Sequence, residues 1–87
     1  MRLFLVESHL PGMEEDDLRT IQRAVVMACG RFTSQGETVR YVQGIYVTGQ
    51  GRYLCLFEAL DDVIVRKVNQ VAQLPFQRIQ PVVTLEA

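Results

Sequence analysis

Apolar residues change their spacing repeatedly along this chain, and each change marks a new element. Arg2 to His9 is rich in Leu, Phe and Val with only weak alternation, the pattern of a central strand covered on both faces. Leu10-Pro11-Gly12 breaks that strand. From Glu14 onward, Leu18, Ile21, Val25, Ala28 and Phe32 recur at helical intervals while Arg19, Gln22 and Arg23 fall on other faces. Carboxylates at Glu14, Glu15, Asp16 and Asp17 crowd the first turn, where they meet the positive end of the helix dipole, and Gly30 and Ser34-Gln35-Gly36 mark the end.

Strand chemistry returns from Val39 to Thr48, turns tightly at Gly49-Gln50-Gly51, and resumes from Arg52 to Ala59. Asp61 caps a second predicted helix whose Ile64, Val68, Val71 and Ala72 share a face, ending near Leu74-Pro75. Gln77 to Leu85 reads as a last strand, and Pro81 within it argues for a sheet edge or a bulge. The order is βαββαβ, which predicts an α+β, ferredoxin-like sandwich: a four-stranded antiparallel sheet with two helices on one face. At 87 residues the chain makes one domain, 1–87, near the size where one core barely suffices alone.

Two of these strands stop on a glutamate, Leu3-Phe4-Leu5-Val6-Glu7 and Leu54-Cys55-Leu56-Phe57-Glu58. Taken as the central pair running parallel, they place Glu7 and Glu58 at the same end of neighbouring strands. Alternation puts Leu3, Leu5, Glu7 and His9 on one face with Leu54, Leu56 and Glu58, and Phe4, Val6, Cys55 and Phe57 on the other. Two helices cover only one side of such a sheet, and the bulkier Phe-containing set suits them better. The leucine face then needs another cover. A second copy packing sheet against sheet supplies it, so a homodimer and a dimeric α+β barrel are expected.

The ends of that dimer interior carry the candidate chemistry. Glu7, Glu58 and His9 form a candidate metal set, and imidazole with carboxylate is compatible with nickel, zinc or copper. Glu7, Glu58 and Tyr41 are the candidate contacts for a small ligand. Strict alternation sets Tyr41 and Tyr46 on opposite faces of their strand, so only one can line the pocket. Tyr41 is preferred because the hairpin at Gly49-Gln50-Gly51 brings the start of that strand beside Glu58. The simpler alternative leaves the glutamates as strand ends held by Arg40, Arg78 or backbone donors, and His9 as a plain loop histidine.

Composition narrows the remaining classes. Nine basic and ten acidic residues give a net charge of −1, which offers no general attraction to nucleic acid or anionic lipid. No apolar run approaches the ~18 residues of a membrane helix, and no secretory leader pattern opens the chain, so the cytoplasm is the expected compartment. Cys29 and Cys55 lack partners for a zinc or redox motif and read as core thiols. Paired metal-chaperone cysteines, a phosphate loop, a nucleophile elbow and the aromatic signature of RNA-recognition domains are all missing. A binding module is therefore expected in preference to an enzyme. The alternative is a cofactor-free dimeric barrel enzyme of the monooxygenase or isomerase type, acting on a small substrate with Glu7 or His9 as general base.

Four strings in series carry a resemblance over almost the whole chain: Phe4-Leu5-Val6-Glu7 with Leu10-Pro11-Gly12, then Val39-Arg40-Tyr41-Val42, then Cys55-Leu56-Phe57-Glu58-Ala59, then Ala72-Gln73-Leu74-Pro75-Phe76-Gln77-Arg78-Ile79. The chain resembles a bacterial family of small ferredoxin-like proteins, known mainly as a domain of unknown function, that includes an actinomycete nickel-binding protein. The resemblance implies a ferredoxin-like fold, a dimer and a role in binding nickel, without an established enzymatic activity.

Overall fold

The computed structural model describes residues 1–87. Its elements run β1 (Arg2–His9), α1 (Glu15–Ser34), β2 (Val39–Val47), β3 (Arg52–Ala59), α2 (Asp62–Val71) and β4 (Arg78–Val82). The four strands form one sheet in the order β2-β3-β1-β4, and every neighbouring pair is antiparallel. The helices cover one face, giving the ferredoxin-like sandwich.

The expected parallel pairing of β1 and β3 is overturned. Opposite Glu7 lies Leu54, and opposite Glu58 lies Leu3. The reason is connectivity: a right-handed crossover through α1 sets β2 parallel to β1, and the tight hairpin then sends β3 back between them in the reverse direction. A strand that ends on glutamate thus meets the beginning of its neighbour.

Local chemistry explains the element ends. At the start of α1 the Glu14 backbone N–H donates to the Asp17 carboxylate at 3.0 Å, holding the first turn closed. Gly30 does not stop this helix, which runs on to Ser34. It closes by donation from the Gly36 N–H to the Thr33 carbonyl and from the Glu37 N–H to that of Phe32, with Gly36 at φ +91° as this cap requires. Asp61 caps α2, its carboxylate accepting from the Val63 and Ile64 N–H groups at 3.0 and 3.3 Å. Pro81 sits on β4, an edge strand, where its missing N–H costs no ladder bond. That strand ends at Val82, short of the expected Leu85.

The core lies between sheet and helices. Phe4, Val6, Cys55 and Phe57 from the central strands are buried against Val25, Ala28 and Cys29 of α1 and Ile64, Val65 and Val68 of α2. Val71, expected on the buried stripe of α2, is exposed, and Val65 takes its place. Both cysteines are free and buried, and burial pushes each thiol up to about 11. These groups stay neutral and unreactive at physiological pH.

Candidate functional site

The uncovered face of the sheet is built by the alternate residues of all four strands. At its centre a groove of about 280 Å³ is lined by Leu5, Ile45, Leu54, Leu56, Val82 and Val83, with Gln43 and Thr84 at its edge. Leu56 is already buried at 8% exposure, whereas Ile45 and Val83 are 52% and 83% exposed. The leucines thus shelter one another in part, and the flanking positions contribute most of the apolar surface that remains open.

Ion pairs close both ends of this face. At one end the Glu7 carboxylate accepts from Arg52 Nε at 3.2 Å on one oxygen, and from Arg78 Nη2 and Nε at 3.2 and 3.4 Å on the other. Register explains the clamp, since Arg78 lies directly opposite Glu7 on β4 and Arg52 is diagonal to it on β3. The Arg52 hydrogen bond holds the carboxyl below its ordinary 4.5, burial pulls it the other way, and Arg78 adds to the lowering. At the opposite end Arg40 Nε donates to Glu58 Oε1 at 3.2 Å.

Glu7 and Glu58 therefore share a face but not a site. Four residues of strand, about 13 Å, separate the two positions along β1. His9 is exposed at the end of β1, opposite Arg52 rather than beside a second free carboxylate. Nowhere does the chain gather three His, Cys, Asp or Glu side chains in a geometry that could hold a metal ion. Of the two alternatives, the arginine-held glutamates describe the arrangement, with Arg52 joining Arg78 and Arg40. A carboxylate gripped by two guanidinium groups is also a weak proton acceptor, which argues against Glu7 as a general base.

Tyr41 lies on the other side of the sheet. A β-bulge between Tyr41 and Gln43 inserts Val42 and shifts the phase of β2, so Tyr41 and Tyr46 face the helices together instead of pointing apart. The Tyr41 ring meets Phe57 edge-on with centroids 5.5 Å apart, and its hydroxyl is 3.0 Å from that of Tyr53. Burial raises the Tyr41 hydroxyl to about 12 and raises Tyr53 further still. The residue missed by sequence reasoning was Gly44. A side chain there would collide with the Tyr41 hydroxyl and approach the Tyr53 ring to 2.9 Å. A glycine inside a strand was the available signal, because strand glycines often mark a close approach.

Four antiparallel strands with two helices on one face, in the order βαββαβ, define the ferredoxin-like α+β class. No helix is long and apolar enough to cross a membrane. A family model for nickel responsive proteins of the SCO4226-like type matches residues 4–82, and the chain belongs to that family. Among solved structures it is similar to SCO4226 from Streptomyces coelicolor A3(2), with a TM-score of 0.80 and 22% identity over 98% of this chain and 99% of that one. At that identity the likeness speaks for the fold. No curated protein matches the chain.

Proposed function

We propose that this protein is a binding module that works as a homodimer joined through the open face of its sheet, with a role related to nickel. The observation that carries the dimer is the groove lined by Leu5, Ile45, Leu54, Leu56, Val82 and Val83, an apolar strip between two ion-paired rims. Such a strip gains by leaving water, and a second copy of the same face matches its apolar centre. The family description supplies nickel as the ion to test.

The donors of one chain do not fit a nickel centre: Glu7 is engaged by two arginines, Glu58 by one, and the two carboxylates lie at opposite ends of the face. A direct nickel response therefore draws on more than one copy. His9, the single imidazole of the chain, stands exposed at the rim of the open face as the donor such a site would use.

Light scattering and calorimetric titration on tag-free protein test both halves. A dimer is expected for the wild type and a folded monomer for Leu54→Asp. Nickel should bind at no more than one ion per dimer, with loss in His9→Ala and retention in Glu7→Gln. A monomeric wild type removes the dimer, and nickel binding that ignores His9 removes the proposed donor.

A further inference from the structure

A second recess lies on the helix-covered side of the sheet, away from the open face. It has a volume of about 180 Å³ between α1 and β2, with Leu18, Gly44 and the rings of Tyr41, Tyr46 and Tyr53 among its walls. We infer that this recess binds a small uncharged aromatic molecule that carries one hydrogen-bond acceptor.

Size sets the first limit. An apolar cavity of about 150 Å³ accepts benzene, so this one takes a single ring with one small substituent. The recess depends on Gly44, because any side chain at that position would enter the space held by the Tyr41 hydroxyl and the Tyr53 ring. The aromatic walls favour a flat, polarisable guest.

Hydrogen bonding sets the second limit. The Tyr46 hydroxyl is engaged, donating to the Leu10 carbonyl at 2.7 Å and accepting from the Met13 N–H at 3.4 Å. The Tyr41 and Tyr53 hydroxyls bond each other at 3.0 Å beside Gln22 and the weakly accepting Cys55 thiol, so of their two protons the mutual bond uses one. The remaining proton is available to an acceptor on a guest. Charge sets the third: at the mouth Arg19 lies 3.7 Å from Glu15 and donates to Gln22 at 3.1 Å, so the two charges there are of opposite sign and their fields offset each other, favouring neither anion nor cation.

All three tyrosines of the chain line this recess and there is no tryptophan, so tyrosine ring signals in NMR report on it directly. Titration with phenol should give saturable shifts of those rings and of the Gly44 amide, with a Kd on the order of a millimolar. Toluene, which lacks the acceptor, should bind roughly five-fold more weakly. Replacing both hydroxyls in a Tyr41→Phe, Tyr53→Phe double variant should erase that difference while leaving the ring-shaped space. Gly44→Ala should abolish binding of both probes; if it fails to fold, the double variant alone decides. The inference is overturned if phenol gives no saturable shifts at these rings, if the double variant still prefers phenol, or if benzoate binds more tightly than phenol.

Discussion

The two faces of this sheet are made from the same four strands yet solve opposite problems. On the helix side, Phe4, Val6, Cys55 and Phe57 are sealed by α1 and α2, and the polar groups there are neutral: thiols, phenols and an asparagine whose amide donates to the Val65 carbonyl at 2.8 Å. On the other side, a smaller apolar strip lies between charged pairs. The helix face holds the buried core, and the one strand cation beside it, Arg2, lies over the rim of that core with its guanidinium 5.2 Å from the Phe4 ring centre. The open face carries all the sheet's ion pairs, set around an apolar centre that no helix covers. A side chain's value in this protein thus depends less on its type than on which way the pleat turns it.

Substitutions can be ranked by that contrast. The largest loss is expected for Phe57→Ala, where a fully buried ring at the centre of the helix face is removed: about 3–5 kcal/mol in chemical denaturation. A loss below ~1 kcal/mol at this position would mean the core is far looser than its burial implies.

The Glu7 clamp is the next test, since it is a charged cluster on the open face that is nonetheless sheltered. Its carboxyl titrates below its ordinary value, so its contribution is complete above about 4.5 and is lost as pH falls through the lowered value. Acidification from neutral to roughly pH 3 should therefore cost the wild type more stability than Glu7→Gln, which carries no proton to take up. Equal acid sensitivity in both proteins would show that the clamp adds nothing. The smallest effect is expected for Arg40→Ala. Arg40 is 62% exposed and its Glu58 partner 33%, so the pair is worth less than ~1 kcal/mol in a denaturation midpoint.

Much of this architecture could be read before any coordinates. Spacing alone located six elements, the caps at Asp61 and Gly36, the edge position implied by Pro81, and the division of β1 and β3 into a Phe face and a Leu face. Strand direction was lost because the shared ending on glutamate looked like a shared position. The hairpin between β2 and β3 already required the reversal that separates Glu7 from Glu58. The faces of Tyr41 and Tyr46 were lost for a different reason. A bulge at Val42 inserts one apolar residue into a strand that is already apolar, so the phase shift leaves no mark in the pattern. The candidate site suffered most, since arginines supplied by β3 and β4 decide what Glu7 can do, and their approach is a property of register.

The position of β1 has a consequence for how the chain comes together. It is the first strand in sequence, yet it lies between β3 and β4, which begin at Arg52 and Arg78. During synthesis it leaves the ribosome well before either neighbour exists, with both its apolar faces and both its hydrogen-bonding edges open. Two of the sheet's three strand pairings must then wait for closure of about half of the chain or more, which slows folding and lengthens exposure to aggregation. Until Arg78 arrives to complete the clamp, Glu7 stands as a charge on an otherwise sticky strand. A charge placed there, as Arg2 is at the other end, disfavours pairing of the bare strand with another chain.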